Sequence, residues 1–65
     1  MSDEVYMLLP DGAEWEDIIL FIDKEEAIAA SIKYHKLRVE IFKKKNIGYH
    51  PTYNYYKNGI LINSN

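Results

Sequence analysis

Trp15-Glu16-Asp17-Ile18-Ile19-Leu20-Phe21-Ile22-Asp23-Lys24-Glu25-Glu26 holds the change of rhythm on which the fold depends. Up to Ile22 the spacing predicts a strand, Trp15 to Ile22. Ile18, Leu20 and Ile22 share one of its faces, and Trp15, Ile19 and Phe21 share the other, with Asp17 among them. A strand apolar on both faces is expected to be central in its sheet and covered on both sides. From Asp23 the rhythm becomes helical. Asp23 to Glu26 has capping-box spacing: the Asp23 carboxylate can accept from the N–H of Glu26, and Glu26 can reach back. Glu25 and Glu26 also sit where the helix dipole favours negative charge. Ala27, Ile28, Ser31, Ile32 and His35 fit one stripe, with Tyr34 at its margin. The small Ala27 and Ser31 suit close approach to a sheet, and Lys33 and Lys36 suit the C-terminal end.

Upstream, Val5 to Leu9 reads as a strand that ends in a tight turn at Pro10-Asp11-Gly12. Downstream, Arg38 to Lys43 alternates, with Val39 and Ile41 on one face and Arg38, Glu40 and Phe42 on the other. Lys43 to Gly48 is expected to form a loop, and Pro51 limits where pairing resumes. Thr52 to Lys57 is β-prone, with Tyr53 and Tyr55 on one face and Tyr56 on the other. Asn58-Gly59 signals a hairpin whose turn needs φ > 0 at both residues, and Ile60 to Ile62 returns as the last strand. The tail, Asn63 to Asn65, is expected to fray. The reading is an α+β fold of order ββαβββ, a small antiparallel or mixed sheet with one helix on one face. One helix of about three turns cannot cover both faces.

The 65 residues form one domain, 1–65. Domains of this size bury only about 60% of their unfolded surface. They commonly need a metal, disulfides or a partner. Cysteine is absent, which excludes disulfides and thiolate zinc sites, and His35 and His50 fit no ligand pattern. Association is the staple that remains. Met1 to Glu4 has no positively charged n-region, and no apolar run approaches the roughly 18 residues of a membrane span. A cytoplasmic-type compartment without membrane contact is the expectation.

Charge is polarised along the chain. Met1 to Ile32 holds nine acids and one base, net −8; Lys33 to Asn65 holds seven bases and one acid, net +6. Such asymmetry can orient a partner. The alternative is that the halves interleave in one sheet and cancel.

Catalytic chemistry finds little footing. Ser2, Ser31, Ser64 and Thr52 stand beside no evident base, and Glu14, Glu16 and Asp17 read as a solvated turn. Asp11, Glu14, Glu16 and Asp17 do not have the spacing of a calcium-binding loop. No enzyme activity, metal or cofactor is expected. Two binding surfaces remain. Trp15, Ile18, Ile19, Leu20, Phe21 and Ile22 are candidates for contact with another protein or a second copy. Lys43, Lys44, Lys45 and Lys57 with Tyr53, Tyr55 and Tyr56 are candidates for single-stranded nucleic acid, where cations hold phosphates and rings stack on bases. Against the second, tyrosines also pack cross-strand in ordinary sheets, and lysines guard strand edges. The chain's overall acidity opposes it too.

Four segments together carry a resemblance. They are Trp15-Glu16-Asp17-Ile18; Glu25-Glu26-Ala27 with Ser31-Ile32-Lys33-Tyr34; Arg38-Val39-Glu40-Ile41-Phe42; and Gly48-Tyr49 followed by Pro51 to Gly59. The set resembles small, uncharacterised proteins encoded by giant nucleocytoplasmic large DNA viruses, over roughly Pro10 to Ile62. The resemblance implies a viral origin, a place in the infected-cell cytoplasm or the virion, and no established enzyme activity. It carries over no functional residues.

Overall fold

The computed structural model describes residues 3–63. Ser2, Ser64 and most of the expected frayed tail lie outside them. Five strands and one α-helix follow in order: β1 (Glu4–Leu8), β2 (Ile19–Phe21), α1 (Lys24–Lys33), β3 (Val39–Lys44), β4 (Tyr49–Lys57) and β5 (Ile60–Ile62). The strands form one sheet, β2-β1-β3-β4-β5, with every neighbouring pair antiparallel. This is the expected α+β order with one helix, and the sheet is antiparallel rather than mixed.

β1 is short but twice paired. It meets β2 over three positions and β3 over five. Tyr6 and Leu8 point to the helix side and are almost fully buried. Val39 and Ile41 of β3 and Tyr56 of β4 join them, as the alternation of β3 requires. Ala27 covers this layer from α1, with Phe21, Ile28 and Leu37 at its margins. The rings of Tyr6 and Tyr56 lie 6.2 Å apart and tilted by 49°, within the favourable range for aromatic pairs.

The expected strand Trp15–Ile22 is divided. Trp15–Asp17 forms a single 3-10 turn, and only Ile19–Phe21 pairs. Asp17 Oδ2 accepts from Glu14 N at 3.0 Å. A short acidic side chain bonding the backbone behind it favours a turn over a ladder. β2 is also an edge strand, not the central one. α1 carries the chain across β1, so β3 pairs on the far side of β1 and takes the centre.

The helix begins at Asp23 as expected, but its carboxylate accepts from Glu25 N, at 3.1 Å, rather than from Glu26. Either N–H is an orphan donor of the first turn. The buried stripe is Ala27, Ala30 and Ser31, while Ile32 and His35 are exposed. Small residues lie flattest on a layer already filled by tyrosines, so the helix turns its isoleucines to the margins.

The β3–β4 connection is tighter than expected. β3 continues through Lys44, β4 starts at Tyr49, and Lys45 N donates to Gly48 O at 3.0 Å. Pro51 lies inside β4 opposite Phe42. β5 pairs only with Tyr55–Lys57, so Pro51 sits on an open edge where its missing N–H is tolerated. Beyond it the ladder bulges: Ile41 alone faces Thr52, Tyr53 and Asn54. Thr52 Oγ1 donates to Ile41 O at 2.8 Å and accepts from Asn54 N at 3.1 Å. Tyr53 takes φ 67. The expected alternation of Tyr53 with Tyr55 therefore does not run through this point. At the last hairpin Asn58 and Gly59 have φ 51 and 80, both positive as that turn demands.

Candidate interaction surface

The register defines what the helix leaves bare. Leu20 pairs with Met7, Met7 with Glu40, Glu40 with Tyr55, and Tyr55 with Ile62. These five residues form one row across all five strands, on the face away from α1, because directly paired residues share a face. A second row runs Val5, Phe42 and Pro51, and a third pairs Lys57 with Ile60. Leu20 is 64% exposed, while Val5, Met7, Phe42, Tyr55 and Ile62 are half-buried. α1 contacts the opposite face. The patch spans roughly 20 Å by 20 Å, from about 4.8 Å per strand and 3.3 Å per residue.

Arg38 and Glu40 pair with each other on this face, while Lys57 Nζ donates to His35 O at 3.4 Å. Arg38 Nε lies 2.7 Å from Glu40 Oε2, and the Glu40 side chain is only 22% exposed. The Arg38 guanidinium carbon stands 4.9 Å from the Tyr55 ring centroid. One stacked ion pair thus sits among apolar side chains, with its charges already matched.

Of the first candidate set, Leu20 lies on this face, and Ile22 is exposed just past the end of β2. Ile19 and Phe21 point to the helix side, since they pair with Leu8 and Tyr6. Ile18 is half-buried beside β2. Trp15 leaves the sheet altogether and stands 87% exposed on the 3-10 turn. Val5, Met7, Phe42, Tyr55 and Ile62 were not in that set. The alternation of Val5 and Met7 with Tyr6 and Leu8, and the odd phase of Phe42, are the signals that could have found them.

The second candidate set is scattered. Lys43, Lys44 and Lys45 lie at the β3–β4 connection, and Lys57 at the far end of β4, roughly 25 Å away along the strand. Tyr56 is 6% exposed in the core, Tyr55 lies under Arg38, and Tyr53 stands at the bulge. Lys44 instead covers Tyr49, Nζ to centroid 5.5 Å.

A cleft of about 630 Å³ lies between the Pro10–Ala13 turn and the link from α1 to β3. Both signs of charge line it, Asp11 and Glu40 against Lys36, Arg38 and Lys57. Among the described residues no three His, Asp or Glu are grouped to hold a metal ion. No helix among them is long and apolar enough to cross a membrane.

The two halves of the chain share one sheet but do not interleave. β2 and β1 form one side of it and β3, β4 and β5 the other. Asp11, Glu14, Glu16, Asp17 and Asp23 flank the first side, while Lys43, Lys44, Lys45 and Lys57 belong to the second. The sequence asymmetry therefore becomes a lateral one, except at the cleft, where Asp11 stands with Lys36, Arg38 and Lys57. Comparison with family models, with curated proteins and with solved structures finds no match to this chain.

Proposed function

We propose that the chain is a non-catalytic protein-interaction module whose contact surface is the sheet face opposite α1. The observation that carries this reading is the row Leu20, Met7, Glu40, Tyr55 and Ile62, which crosses every strand with no helix or strand among the described residues packed over it. Contiguous exposed apolar patches of several hundred Å² are rare on soluble monomers and commonly mark contact sites. The internally matched Arg38–Glu40 pair supports the same reading, because a partner can cover it without stranding a charge. The resemblance to giant-virus proteins supports a virus-encoded accessory or virion component. The nucleic-acid reading draws less support, since Tyr56 offers no free ring face and the lysines do not converge.

An exposed-hydrophobe dye tests the surface. In dilute solution the chain should bind dye, and Leu20→Asp should reduce binding while leaving the circular dichroism unchanged. Ile47→Asp, at a still more exposed residue of the β3–β4 connection, should leave it unaltered. Absence of dye binding by the dilute wild type would count against the proposal.

A further inference from the structure

We infer that the partner on this face is a second copy of the chain, stacked sheet to sheet about a twofold axis running along β3. The inference rests on the interaction-surface reading above and adds the identity and orientation of the occupant.

Size is the first argument. A patch of roughly 400 Å² in projection on each protomer gives about 800 Å² together, before surface relief is counted. That lies below the roughly 1,000 Å² that a stable interface clears, in the range of weak, transient contacts. It suits a small self-complementary contact with concentration-dependent association.

Charge selects the copy and its orientation. Two twofold axes can stack this face on itself. An axis across the strands lays β2 on β2 and brings the acidic side of the sheet against itself. An axis along β3 lays the β1–β2 side of each protomer over the β4–β5 side of the other. The pairing of Leu8 with Val39, and of Val39 with Tyr56, puts the loop after β1 and the turn after Lys57 at one end of the sheet. Glu4 pairs with Lys43 at the other end. With the axis along β3, Glu14, Glu16 and Asp17 of one protomer approach Lys57 of its partner, whereas Asp11 already lines one cleft with Lys57 of its own chain. Asp3 approaches the lysines of the partner's β3–β4 connection, while Glu4, which accepts from the Tyr6 hydroxyl, lies on the α1 side. Both ends then set opposite charges together.

The centre is consistent with the same axis. β3 is the middle strand, so Phe42, Glu40 and Arg38 meet their own counterparts. Phe42 stacks on Phe42. Glu40 then lies near Glu40 and Arg38 near Arg38, so each carboxylate keeps its own arginine and the centre stays neutral as a whole.

The lack of cysteine makes the test simple. Leu20 and Ile62 end the same row on opposite sides of the sheet. Leu20→Cys and Ile62→Cys chains, mixed and mildly oxidised, should form a mixed disulfide dimer. Leu20→Cys alone should cross-link several-fold less, while Phe42→Cys alone should cross-link to itself. Efficient cross-linking of Leu20→Cys to itself would overturn the axis along β3. A wild type that scatters light as a monomer at high micromolar concentration would overturn the second copy as occupant. If that monomer still binds dye, the surface awaits a different protein; if it does not, the interaction-surface reading falls as well.

Discussion

Ser31 Oγ, fully buried on α1, accepts a hydrogen bond from Gly59 N at 2.9 Å and donates one to Ile28 O at 2.7 Å. One hydroxyl thus ties the helix to the last hairpin, 28 residues away in sequence. Ser31→Ala keeps the small volume that the helix needs but leaves Gly59 N without this acceptor. A buried donor left unmatched costs about 1–3 kcal/mol. Chemical denaturation should show a loss in that range, and an unchanged midpoint would contradict the assigned tie.

Gly59 is doubly constrained. Its φ of +80 belongs to the region that side chains avoid, and a Cβ there would stand 3.0 Å from Ile32 Cγ1 and Cδ1. Ile32 is exposed and can shift, so backbone strain is the larger effect. Gly59→Val should cost about 1–3 kcal/mol from strain of this kind. Because the turn sets the register of β4 and β5, amide exchange in Ile60–Ile62 should accelerate most. Equal protection in both proteins would contradict this.

Asp23→Ala removes the acceptor of Glu25 N at the start of α1. Loss of such a cap costs about 0.5–2 kcal/mol. Asp23→Asn retains a side-chain oxygen and should recover most of the loss in the same melt. If alanine and asparagine melt alike with the wild type, the cap contributes nothing.

Thr52→Val is nearly isosteric but removes both hydroxyl bonds at the bulge, to Ile41 O and from Asn54 N. About 1–2 kcal/mol should be lost, at roughly 1 kcal/mol per hydrogen bond. Amide exchange should quicken around Asn54, while the Val39–Tyr56 end of the ladder stays protected. Uniform exchange across β4 would show that Thr52 does not hold the bulge.

The order of elements was legible because each has a local cause. The cap at Asp23, the β3 alternation at Val39 and Ile41, and the Asn58-Gly59 turn act within a few residues. Strand order was not legible in the same way. β2 reads as a central strand because Ile18 to Ile22 is apolar on both faces, yet it pairs only with β1 and lies at the edge. Which strand β3 joins depends on how α1 crosses the sheet, a long-range event with no local signature. The bulge was hidden too, since Thr52 replaces ladder bonds through a side chain that also suits a plain strand. That one face would lie open followed from counting helices. Most of the residues on it followed only once the register was known.

The most direct test of the account is the light-scattering mass of the purified wild type across a dilution series. The account predicts a mass that rises with concentration from the 7.7 kDa of one chain toward twice that value. Leu20→Asp, charged at the exposed end of the central row, should hold the mass at one chain throughout. A wild type that remains a single chain at every concentration and binds no hydrophobic dye would contradict the account, because the face opposite α1 would then need no cover.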